Sequence, residues 1–95
     1  MVGRYFKHYR KESNVKCTAI ESTTSISRSY IANFENEKKN MPDDTIELIL
    51  TKGFGISTTK ARVLINTWRI LDRLDSVPQE EKKLLLDNLK TLYVM

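Results

Sequence analysis

The stretch Ser25-Ile-Ser-Arg-Ser-Tyr-Ile-Ala-Asn-Phe-Glu-Asn-Glu-Lys-Lys-Asn-Met-Pro42 decides how the rest of the chain is read. Ser27 is a good N-cap, because a serine hydroxyl accepts an amide hydrogen bond from the first helical turn. After it Ile31 and Phe34 fall at i, i+3 spacing, while Arg28, Ser29 and Asn33 fall together on the other side. The spacing predicts one short helix with an apolar back and a polar face. Any amphipathic helix shows that division. The residue types on the polar face are more specific: Arg bonds a guanine edge in two places and Asn does the same for adenine, which are the donors and acceptors of major-groove readout. The helix then runs out into Asn36, Lys38, Lys39 and Asn40, which suit phosphate oxygens rather than bases. Tyr30 has three open uses: packing, a phosphate contact, or a thymine methyl.

This run resembles the recognition helix and following loop of the Xre/Cro-type helix-turn-helix family, which includes the lambdoid phage repressors. Ser27, Ile31, Phe34, Glu35, Asn36, Lys38 and Pro42 keep the family order of small polar residue, buried aliphatic, Glu-Asn, Lys and a Pro before the next helix. Upstream, Val2-Gly3 with Phe6, Tyr9 and Arg10 is similar to the family's first helix, and the likeness covers residues 2–57. The resemblance implies an all-α fold: a five-helix-type, lambda repressor-like helix-turn-helix core. A C-terminal helical extension makes about six helices in all. It also implies base readout by Arg28, Ser29 and Asn33, and backbone contacts from Lys16, Thr18, Ser27, Tyr30, Asn36, Lys38, Lys39 and Asn40. Double-stranded DNA as the partner and a repressor's role are implied in the same way, while a homodimer is expected from the apolar face of the C-terminal helices. Arg10 has two readings, a phosphate contact or an internal ion pair, and the resemblance implies the second, with Glu35. In the second helix and the turn after it three positions depart from the family: Cys17 stands where a Gln is usual, Glu21 where a small Ala lets the helices close, and Ser25 where the turn has Gly. Glu21 therefore implies wider packing, a shifted alignment, or a side chain that escapes to solvent. Glu37 likewise replaces a loop Gly and removes the easiest left-handed residue.

Ninety-five residues are enough for one modest helical core without metals or disulfides. Apolar residues at 40% and charged residues at 29% fit a globular chain rather than a disordered one. The net charge of +4 is compatible with a polyanionic partner, and its placement says more than its size: Arg4, Lys7, Arg10, Lys11 and Lys16 face only Glu12 in the N-terminal segment. Cys17 is the single cysteine, so no internal disulfide is possible, and a reducing cytoplasm is expected. No apolar run is long enough to span a bilayer and no signal-like core is present, so no membrane association is expected.

In chain order, Val2 to Lys11 reads as a first helix with Val2, Phe6 and Tyr9 inward. Lys16 to Thr24 reads as a second, anchored by Val15 and Ile20 but built from mediocre helix formers. Asp43 and Asp44 suit the positive end of a fourth helix, whose buried stripe is Ile46, Ile49 and Leu50. Phe54 and Ile56 close the core after the Gly53–Gly55 turn. From Thr58 to Leu74 the residues Ala61, Leu64, Ile65, Trp68, Leu71 and Leu74 form a stripe, and a last helix is expected from the capping-box-like Ser76-Val77-Pro78-Gln79 to Tyr93. Its apolar surface exceeds what one small neighbour covers. The reading is thus a helix-turn-helix domain over 1–57 and a helical hairpin over 58–95, with Trp68, Leu85, Leu89, Leu92 and Tyr93 offered to a second copy or another protein. Both helices could instead finish the monomer core.

Catalytic chemistry is poorly served. One His and one Cys make no metal cluster, the carboxylates are scattered, and Lys-Gly-Phe-Gly at residues 52–55 lacks the Lys-Ser/Thr ending and preceding strand of a phosphate loop. No enzyme activity and no cofactor are expected. The leading function is sequence-specific transcriptional regulation. An antitoxin-like interaction protein working through the C-terminal helices is the alternative, and a helix-turn-helix serving only as a protein adaptor is a third.

Overall fold

Phe6, in the first helix, gathers aromatic rings from three later parts of the chain. The structure, a computed structural model, describes residues 1–75 together with 78, 80, 81, 83, 84 and 87. Its elements are α1 (Gly3–Glu12), α2 (Cys17–Thr24), α3 (Arg28–Glu35), α4 (Asp43–Leu48), which continues into a π-helical turn over Ile49–Gly53, and α5 (Thr58–Asp75). Among the described residues there is no strand. The Phe6 ring lies 5.5 Å from Phe34 of α3, 5.9 Å from Phe54 and 6.2 Å from Trp68 of α5, mostly edge-on as aromatic quadrupoles prefer. Tyr9, one turn further along α1, stacks on Phe54 at 5.3 Å and leans on Trp68 at 5.8 Å. Ile20, Ile31, Ile46, Ile49, Leu50 and Ala61 complete the fully buried set.

One glycine is required by a close approach. A Cβ on Gly3 would stand 1.8 Å from the Phe34 carbonyl oxygen, so α1 meets the end of α3 backbone to backbone. The π-helical turn packs on α2 beside Ile20, where a Cβ on Gly53 would meet that side chain at 3.4 Å, an ordinary van der Waals distance.

α5 differs from its sequence reading in two ways. Trp68, expected on a face offered to a partner, is only 5% exposed and belongs to the monomer core with Ala61 and Ile65. The reason is α1: Phe6 and Tyr9 together leave an aromatic slot that one indole fills. Packing is therefore continuous across residue 57, and the first turns of α5 belong to the same core as α1–α4. Leu71, expected in the buried stripe, is exposed, as are Val63 and Ile70. Ion pairs from Arg62 to Glu47 (3.2 Å) and from Arg69 to Asp43 tie α5 to α4. In the last helix expected from sequence, the described positions 80, 81, 83, 84 and 87 are helical. Leu85, Leu89, Leu92 and Tyr93 lie outside the described residues.

Candidate nucleic-acid interface

The short α3 is held by its back and its ends. Ile31 and Phe34 are buried, and the Ser27 hydroxyl accepts from the Tyr30 amide at 3.1 Å, the N-cap that its sequence position predicts. Beside them Glu35 is buried and paired with Arg10: Nε lies 2.5 Å from Oε2 and Nη2 2.9 Å from Oε1, a bidentate fork. Arg10 also donates to the Val15 carbonyl oxygen at 3.1 Å, so one guanidinium joins α1, the α1–α2 loop and α3. The hydrogen bond to Glu35 holds the Arg10 guanidinium above its ordinary range. Burial pushes the nearby Cys17 thiol up, with Glu35 adding to it, so Cys17 stays a neutral filler at the start of α2.

Both turns flanking α3 use left-handed residues that are not glycine. Ser25, between α2 and α3, has φ 62°, and its amide donates to the Glu21 carbonyl oxygen at 2.9 Å, while the Thr24 hydroxyl accepts from the Ile26 amide at 3.2 Å. After α3, Glu37 has φ 60° and closes a Schellman motif: its amide donates to Phe34 at 3.0 Å, and that of Lys38 to Asn33 at 2.8 Å. The Glu37 carboxylate faces Arg4 at 3.6 Å and the amino group of Met1 at 3.7 Å. The loop geometry expected of Gly is therefore kept without it.

With its back fixed, α3 turns the other side outward. Arg28 and Ser29 are exposed, and Asn33 is half-buried. Ala32, which the sequence reading passed over, is exposed between them, and its methyl suits a thymine methyl. The signal was there in the spacing, since position 32 follows Arg28 by four and Ser29 by three. Lys16 and Thr18 are exposed at the start of α2 and line an open depression with Asn14, Ser22 and Gly53. Lys38, Lys39 and Asn40 are exposed on the loop after α3; Asn36 is exposed too, and its Oδ1 accepts from Lys7 Nζ at 3.4 Å. Tyr30 is half-buried against the core, and its hydroxyl donates to the Asn40 carbonyl oxygen at 3.4 Å, so it braces the loop.

Glu21 does not point away into solvent. One carboxylate oxygen accepts the Arg28 backbone N–H at 2.8 Å, and the other lies 3.4 Å from Arg28 Nε. Among the described residues, no three His, Cys, Asp or Glu side chains are grouped to hold a metal ion, and no helix is long and apolar enough to cross a membrane.

Two packed helices joined by a tight turn, the second with its outer face open and flanked by cations, define a helix-turn-helix domain. The chain belongs to the helix-turn-helix domain family, of the Xre/Cro-like type: the model described as "Helix-turn-helix domain" matches residues 3–66. That span reaches into α5, in keeping with the place of Ala61 and Ile65 in the core. Comparison with curated proteins and with solved structures gave no match.

Proposed function

We propose that this protein is a sequence-specific regulator of transcription, a repressor that binds double-stranded DNA through α3 in the major groove. The observation that carries the proposal is the division of α3: Ile31 and Phe34 are buried on one side, and Arg28 and Ser29 are exposed on the other. Arg28, Ser29 and Asn33 read bases; Lys16, Thr18, Ser27, Asn36, Lys38, Lys39 and Asn40 hold the backbone and supply the salt-dependent part of the affinity. A homodimer sets two copies of α3 in successive major grooves, about 34 Å apart, on an inverted repeat. The exposed apolar residues of the C-terminal part, Val63 at 59%, Ile70 at 52% and Leu84 at 64%, support such an association.

Selection of bound sequences from a random duplex pool tests this directly: a palindromic preference is expected, and the absence of any preference refutes it. The same apolar residues favour a second reading, in which another protein is the partner. Size-exclusion chromatography with light scattering separates the two, because a strict monomer at micromolar concentration removes the homodimer.

A further inference from the structure

Glu21 lies on α2, yet both its carboxylate oxygens are spent on one residue of α3. Oε2 accepts the Arg28 backbone N–H at 2.8 Å and Oε1 faces Arg28 Nε at 3.4 Å, so the carboxylate spans the turn between the helices. We infer that Glu21 is a positioning residue for base readout, holding Arg28 by its inner edge so that the two terminal amines remain for a guanine. This rests on the reading of α3 given above.

Stability explains only half of the contact: the bond to the Arg28 amide satisfies an open donor in the first turn of α3, but the side-chain pair adds little to it. The Arg28 side chain is 62% exposed and that of Glu21 40%, and ion pairs so open to water contribute little to folding. For a long, flexible cation at a recognition surface the contact matters differently: a guanidinium already held along one edge loses less freedom when it docks on O6 and N7 of a guanine. A carboxylate beside the groove also repels phosphates, which weakens binding to every sequence alike. Glu21 thus exchanges general affinity for discrimination. Removing it should move the two in opposite directions, which a purely structural role would not do.

The test uses the full chain and three duplexes: the sequence selected from a random pool, that sequence with the base pair read by Arg28 replaced, and a random duplex. Glu21→Ala is expected to lose about tenfold in discrimination at that one base pair, within the range a bidentate Arg–guanine contact supplies, and to bind the random duplex more tightly at low salt. Glu21→Gln keeps one oxygen for the Arg28 amide but no charge, so it should lose discrimination in the same direction and by less. It also carries the test if Glu21→Ala fails to melt cooperatively. In an Arg28→Ala background neither change should alter discrimination. Equal effects of Glu21→Ala and Glu21→Gln on all three duplexes, or a loss of discrimination that persists without Arg28, would overturn the inference. If Arg28→Ala loses the preference while both Glu21 variants keep it, the Glu21 inference fails and the reading of α3 stands. If the wild-type chain selects no sequence, both fail.

Discussion

Gly3→Ala sets two general tendencies against each other. Helix propensity alone favours Ala by at most about 1 kcal/mol, the value for a helix interior, and by less at Gly3, the first residue of α1. The packing says the reverse: the new Cβ would stand 1.8 Å from the Phe34 carbonyl oxygen and 2.8 Å from its carbon, where real Cβ atoms keep at least 3.0 Å. Both neighbours are backbone, so no side-chain rotation relieves the clash and α1 must shift against α3. Overpacking of this kind costs about 1–3 kcal/mol, and a backbone-to-backbone clash belongs at the upper end. Subtracting the propensity gain leaves a net loss of about 2 kcal/mol. With a urea slope of about 1 kcal/mol per M for so small a domain, the unfolding midpoint should fall by about 2 M, and the melting temperature by about 8–16 °C. Urea titration followed by far-UV circular dichroism reads this directly. An unchanged or higher midpoint for Gly3→Ala would refute the close approach of α1 to α3.

Arg28→Ala should lose about 1–3 kcal/mol on the selected site and relax preference at one base pair, while Lys38→Ala should weaken all sequences alike and lower the salt slope by about one; filter binding over a salt series separates the two. Glu35→Ala leaves the Arg10 guanidinium half-buried without its fork and should cost about 3–5 kcal/mol in denaturant titration. Trp68→Ala should cost about 3–5 kcal/mol and unfold much of the protein by circular dichroism, whereas a residue serving only an interface would yield a folded monomer. Ser25→Gly relieves a left-handed non-glycine residue and should raise stability by about 0.5–1 kcal/mol in thermal melts.

Local patterns reached far into this molecule. The cap at Ser27, the pair Ile31 and Phe34, and the acidic start at Asp43 and Asp44 were legible because each depends on neighbours within one or two helical turns. Periodicity on α5 found the stripe but not its extent. Whether Trp68 or Leu71 goes inside depends on how α1 lies across α5, and no spacing within residues 58–75 encodes that. The same limit hid Glu21. Substitution of a small residue by an acid gave three outcomes without choosing among them, and none was a carboxylate turned onto Arg28, seven residues away across a turn. At Ser25 and Glu37 the backbone keeps the left-handed conformation although the residue best suited to it is missing, since surrounding hydrogen bonds fix the turn more firmly than side-chain preference opposes it.

The burial of Trp68 equips the chain with an optical reporter. It is the single tryptophan, enclosed by Phe6 and Tyr9 and away from the outward side of α3. Its emission therefore follows the joining of the first and fifth helices, shifting to the red when they separate. Occupation of the Arg28 side by a ligand leaves that indole in the same apolar surroundings, so its emission reports folding and stays constant on ligand capture.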